Sequence, residues 1–176
     1  MDLNESKSWH SELEGWSDDI LPRYEEWAAK LPEGAILVEV GTYRGRSLRY
    51  MAEKIHRLGK SVKIYGIDTS EIPENWQVLL RNILAAPLEE QHLIHLIRAP
   101  SVMASRMFDD RLIDWVFIDA LHTVEAVRED CLSWLPKIKK GGLLGGHDYG
   151  KYGVREAVDF LFEKIYVQDT VWWINV

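Results

Sequence analysis

Asp119 and His122, and again His147 and Asp148, stand directly after short apolar runs, where strand ends would gather groups able to bind cations or move protons. If those two runs are neighbouring strands, Asp119 and Asp148 meet at one rim. Close carboxylates repel unless a proton or cation lies between them. A divalent cation such as Mg2+ suits oxygen ligands and keeps room for substrate oxygens. Held by Asp119, His147 and Asp148, it would bind a substrate hydroxyl and lower its pKa. His122 could then remove the hydroxyl proton, since imidazole titrates near neutral pH. Each histidine also has a plainer role, as a helix cap or as support for a neighbouring carboxylate.

A second set of residues binds rather than reacts. Glu39-Val-Gly-Thr-Tyr-Arg-Gly45 follows another apolar run. Gly41 and Gly45 permit a tight turn and close approach of backbone to ligand. Amides at the start of a following helix favour an anionic or carboxylate group. No Gly-Lys-Ser or Gly-Lys-Thr follows, and the G-x-G-x-x-G spacing is missing, so neither a phosphate loop nor a dinucleotide fingerprint is present. Glu39 is costly inside a strand without donors; a ligand ammonium or neighbouring amides would supply them. Asp68 ends the next run, where a carboxylate accepts bonds from two ribose hydroxyls. Glycine loop and Asp68 together indicate an adenosine-type ligand. Ser101 reads as the cap of a short helix, and the Ala99–Ser101 turn would lie against an adenine ring. Arg44 and Arg46 either steer an anionic group or face solvent.

The elements that must position these residues alternate. Apolar runs at 36–40, 62–67, 93–97, 113–118 and 143–146 read as strands. Helical patterns cover 17–30, 46–58, 73–85, 101–108, 124–135 and 153–164, with Ser17 and Asp18 as caps of the first. Residues 165–167 and 171–176 read as an antiparallel pair, and 136–142, with Lys137, Lys139 and Lys140, as a basic turn. Strands alternating with helices predict an α/β, Rossmann-like single domain: a mostly parallel seven-stranded sheet, order 3-2-1-4-5-7-6, with helices on both faces. Residues 1–33 form an N-terminal extension with a capping helix, and 34–176 the cofactor-binding domain.

Composition narrows the function. A formal charge of -7 disfavours a nucleic-acid partner, which calls for a basic face. No apolar run is long enough to span a membrane. The acidic N-terminus does not read as a signal peptide. One cysteine, Cys131, reads as a packed thiol and fits the cytoplasm. Eight tryptophans are many for the length, and Trp9, Trp16, Trp27, Trp172 and Trp173 read mainly as packing residues. Their alternative is a cleft or a subunit interface, so a homodimer is allowed. His10, His56, His92 and His95 lie away from the rim.

Four segments carry a family likeness: Val38-Glu-Val-Gly-Thr-Tyr-Arg-Gly-Arg-Ser47, Tyr65-Gly-Ile-Asp68, Asp114-Trp-Val-Phe-Ile-Asp-Ala-Leu-His122 and Gly141-Gly-Leu-Leu-Gly-Gly-His-Asp-Tyr149. With Gly153-Val-Arg-Glu-Ala-Val158, they resemble the class I S-adenosylmethionine-dependent methyltransferases. The nearest likeness is to the macrolide sugar O-methyltransferases and CmcI-like proteins. By that resemblance, Glu39, Gly41 and Gly45 would surround the methionine part of S-adenosylmethionine, Asp68 would hold its ribose, and Ala99–Ser101 would meet its adenine. Thr42, Tyr43, Ser47, Thr69 and Asp119 complete the implied cofactor set. Asp119 and Asp148 match the metal carboxylates and His122 the general base. His147 departs from the acidic residue common in the subgroup, and imidazole is a less natural Mg2+ ligand, which leaves open a weaker site, another ion, or none. With little chain inserted over the cleft, the N-terminal helix with Trp16, Tyr24 and Trp27, or a partner subunit, would shape the acceptor pocket. The implied activity is methyl transfer to a small-molecule hydroxyl. The alternatives are metal-free O- or N-methylation and a noncatalytic cofactor-binding protein acting through a partner.

Overall fold

The computed structural model describes residues 13–15 and 17–176; Trp9, His10 and Trp16 lie outside them. Among the described residues the chain runs α1 (Leu21–Lys30), β1 (Ile36–Val40), α2 (Arg46–Arg57), β2 (Lys63–Asp68), α3 (Pro73–Leu84), α4 (Leu88–Gln91), β3 (Ile94–Arg98), α5 (Ser101–Ser105), β4 (Ile113–Ile118), α6 (Val124–Trp134), β5 (Ile138–Gly146), α7 (Tyr152–Leu161), β6 (Tyr166–Gln168) and β7 (Val171–Asn175). The sheet order is β3-β2-β1-β4-β5-β7-β6, as the alternation predicts. β1 to β5 pair in parallel; β7 runs antiparallel to both β5 and β6.

Strand alternation sorts side chains onto two faces. Leu37, Trp115 and Phe117 face α1 and α2, where Tyr24, Trp27, Leu48 and Met51 bury against them. Val38, Val40, Val116 and Ile118 face α6 and α7, with Val127, Cys131, Trp134, Val154 and Val158. Each large apolar side chain so buried contributes about 1.5–3 kcal/mol. Trp27 meets Trp115 edge-on at 5.1 Å, and Tyr24 meets Phe117 likewise at 5.1 Å. Tyr24 and Trp27 therefore belong to the core, so α1 covers the sheet instead of shaping an acceptor pocket. Trp115, Trp134 and Trp172 are buried in the same way. Burial pushes the Cys131 thiol up to about 12, as befits a packed side chain.

Several local expectations are corrected. α1 starts at Leu21, one residue before Pro22, and no side chain caps it. The Ser17 carbonyl, not its hydroxyl, accepts the amides of Ile20 and Leu21. At the other end of α1, the Lys60 ammonium donates to the carbonyls of Ala28, Ala29 and Leu31. β5 begins at Ile138, so the supposed basic turn is partly strand. A register shift against β4 lets it form, while Lys137 pairs with Asp110 and Lys139 with Asp114. The short helix α4 has no apolar period long enough to reveal it. Among the described residues, no helix is long and apolar enough to cross a membrane.

Candidate functional site

The loops leaving the central strands extend the sheet's hydrogen-bond ladder by one rung each. Gly41 N donates to Ile67 O at 2.8 Å, Asp119 N to Val40 O at 2.7 Å, His147 N to Ile118 O at 3.1 Å and Ala99 N to Asp68 O at 3.1 Å. These bonds hold the four rim segments in one row. They border a cleft of about 830 Å³. Gly41, Thr42, Tyr43, Ser47, Asp68, Thr69, Ala99, Ser101, Asp119, His122, His147 and Asp148 all line it. Glu39 and Gly45 do not.

Gly41 takes a φ of 87°, and a Cβ there would lie 1.9 Å from the Asp119 carbonyl oxygen. Only glycine lets the two loops close on each other. Asp68 braces the glycine loop from the other side, accepting from Tyr43 N at 2.9 Å and from Ser70 N at 2.6 Å. The Thr42 hydroxyl oxygen is buried in the loop with no protein hydrogen-bond partner. Ser101 does not cap α5, whose N-cap is Pro100. Its hydroxyl accepts from Trp134 Nε1 at 2.9 Å and bonds Asp130, which also lines the cleft. Burial raises the Asp130 carboxyl above its ordinary range, against the Ser101 bond.

Glu39 lies beneath the loop, on the α1–α2 side of β1. Its donors come from the protein: Tyr24 OH at 2.9 Å and Ser47 Oγ at 2.8 Å. Burial lifts its carboxyl to about 7, although both hydroxyls pull it down. The spacing of Tyr24 in an apolar helix face gave no sign of this bond.

At the other end of the cleft, ligand atoms of Asp119, His122 and Asp148 lie within 4.8 Å of one another. His122 Nε2 is 2.7 Å from Asp148 Oδ2 and 3.8 Å from Asp119 Oδ1, yet its ring is not aligned for a hydrogen bond to either. His147 is set apart. Its Nε2 turns to Asp19 Oδ2 at 3.0 Å, and its Nδ1 is 3.6 Å from both Asp119 and Asp148. Burial opposes its charge, but Asp119 and Asp19 outweigh burial and raise it to about 9. Burial would raise Asp119, but the two histidines hold it below the ordinary carboxylate range.

Three residues that bear on the cleft escape sequence reasoning. Asp19, just before α1, bonds His147 and accepts from Thr170 of the β6–β7 turn. Lys151 donates to Asp148 Oδ2 at 2.7 Å and lies 3.5 Å from His122 Nδ1. Glu14 pairs with Arg44, while Arg46 pairs with Asp18 and donates to Gly15 O at 2.8 Å. The two arginines thus fasten Glu14, Gly15 and Asp18 along the cleft and do not face open solvent.

Solved structures repeat this architecture at low identity. A protein of Corynebacterium glutamicum shares 12% of residues, over 94% of this chain and 83% of that one, with a TM-score of 0.70. CalS11, a TDP-rhamnose 3′-O-methyltransferase of calicheamicin biosynthesis, shares 15%, over 89% and 76%, with a TM-score of 0.61. An rRNA methylase from Streptococcus thermophilus shares 17%, over 86% and 91%, with a TM-score of 0.60. No curated protein matches in sequence. The model of a family described as a methyltransferase domain matches residues 38–149. That match takes in the glycine loop, Asp68 and the whole Asp119–Asp148 corner, and the chain belongs to this methyltransferase family, with the class I S-adenosylmethionine-dependent fold.

Proposed function

We propose that the chain transfers a methyl group from S-adenosylmethionine to a hydroxyl of a small molecule. The observation that carries this reading is one cleft with a glycine loop and Asp68 at one end and Asp119, His122 and Asp148 at the other. Its volume is in the range of small-molecule sites. The buried Thr42 hydroxyl, lacking a protein partner, suits a ligand's polar group. Gly41, Thr42, Tyr43 and Ser47 would hold the amino-acid end, over Glu39; Asp68 and Thr69 the ribose; Ala99, Ser101 and Asp130 the adenine. When bound, the cofactor supplies an electrophilic methyl carbon. The chain's own work is to aim the acceptor oxygen and to take its proton. His122 is the base in this reading, and Asp119 and Asp148, the latter 2.7 Å from its Nε2, stabilise the imidazolium that forms. In domain terms, 34–176 carries the cofactor, and the 1–33 extension, through α1, caps the sheet.

Mg2+ fits this corner poorly. Asp148 Oδ2 already meets the Lys151 ammonium, and His147 Nε2 is turned to Asp19. A nucleic-acid acceptor fits poorly too. Glu14, Glu71, Glu129 and Asp130 line the cleft, and the lining Arg44 and Arg46 are tied to acids, whereas phosphates call for uncommitted cations. Within the segments that carry the sugar O-methyltransferase likeness, Asp119, His122 and Asp148 are the residues that bear on the reaction.

Calorimetry with S-adenosylmethionine, followed by turnover on phenol, catechol and sugar hydroxyls and on a bulk RNA control, tests the reading. Cofactor binding with methylation of a hydroxyl panel member is expected. Absence of cofactor binding, or methylation of RNA alone, would sink it.

A further inference from the structure

We propose that Lys151 is the resident cation of the reaction corner, holding Asp148 and His122 in the place a divalent ion would take. The inference rests on the O-methyl transfer reading and deepens it.

Asp148 Oδ2 is the crowded atom. Lys151 Nζ and His122 Nε2 each lie 2.7 Å from it, and His147 Nδ1 lies at 3.6 Å. A metal ion bound there would share that oxygen with an ammonium 2.7 Å away on an exposed side chain, and like charges that close repel. Lysine keeps three donors and no acceptor, so its contact with a carboxylate is one of charge and hydrogen bond together.

The backbone shows that this contact is built in. Lys151 is the N-cap of α7, where the helix dipole disfavours a positive charge. A carboxylate must compensate it, and Asp148 does. The turn between them is closed by Lys151 N donating to Asp148 O at 2.8 Å. Asp148 itself takes a left-handed φ of 58°, a conformation uncommon outside glycine. The start of α7 is pressed onto the His122 loop as well: a Cβ at Gly153 would lie 2.0 Å from the His122 carbonyl oxygen. The turn is thus held at both ends, and the ammonium is delivered to the space between Asp148 and His122.

The role is one of positioning. Lys151 neutralises Asp148, so that the carboxylate pair stays together without an added ion, and keeps Asp148 Oδ2 against the His122 ring.

The test is Mn2+ binding to the full chain, read by electron paramagnetic resonance and needing no turnover. Lys151→Met (K151M) removes the charge and keeps much of the stem. The expected result is that K151M binds Mn2+ at least tenfold more tightly than the wild type, and that the added Asp148→Asn (D148N) change removes the gain. Lys151→Arg (K151R) keeps the cation and should stay at the wild-type level, which separates charge from folding damage. Thermal melts of each variant accompany the titration. Equal Mn2+ affinity in wild type and K151M, whether tight or absent, overturns the proposal. Failure of the methyl-transfer reading would instead show as absent cofactor binding, with the Mn2+ comparison unaffected.

Discussion

The two ends of the cleft are built in different ways. The glycine-loop end is made of backbone: ladder bonds, a glycine in contact with a carbonyl, and Asp68 accepting amides. The Asp119–His122–Asp148 end is made of side chains, several charged, whose partners lie both near in sequence, as Lys151 does to Asp148, and far, as Asp19 does to His147. Backbone constructions fail when the path of the chain is changed. Side-chain constructions fail one group at a time and leave the path intact. Binding and chemistry in this protein should therefore be separable.

The sharpest check is His122→Ala. Loss of a placed base lowers turnover by about 10²–10⁴-fold, while cofactor affinity should stay within about threefold; steady-state kinetics with calorimetry on the same preparation decides. A parallel collapse of both would erase the division between the two ends. Gly41→Ala attacks the other side. The left-handed conformation and the clash with the Asp119 carbonyl together should cost about 2–4 kcal/mol in denaturant unfolding, with cofactor binding lost before any chemistry is measured. A smaller, graded effect comes from Glu39. Its folded carboxyl titrates at about 7, above the ordinary 4.5. The stability it allows is fully present below about pH 4.5 and is lost as pH rises through about 7. Unfolding free energy should thus fall by about 2 kcal/mol between about pH 5.5 and about pH 7.5 from this group alone. Glu39→Gln should flatten that slope. An unchanged slope would mean that Glu39 is ionised at no cost beneath the loop.

The same division governs what could be read from the residues. Strand order, the glycine loop and the rim positions of Asp68, Asp119, His122, His147 and Asp148 follow from apolar period and local spacing, because backbone geometry is local. β5 starts early because a bulged register against β4 accommodates Lys139 and Gly141, a pairing property that no single segment carries. Tyr24 beneath the loop, Asp19 on His147 and Ser101 on Trp134 are contacts between residues far apart in sequence. Tyr24 and Ser101 taken alone had equally good local readings, as a residue of an apolar helix face and as a helix cap, and nothing local singled out Asp19. Lys151 was close in sequence to Asp148, yet a lone lysine after a strand reads as solvated until its helix is placed.

The ties that Glu14, Gly15, Asp18 and Asp19 make to the rim have a consequence of another kind. Glu14, Gly15, Asp18 and Asp19 reach Arg44, Arg46 and His147 through side-chain contacts, whereas the sheet's ladder runs through other residues. Exchanging this stretch would alter what the cleft admits without re-registering a strand. If the proposed function holds, acceptor preference should therefore be alterable through Glu14, Gly15, Asp18 and Asp19 while the strands that carry Asp68 and Asp119 are left as they are.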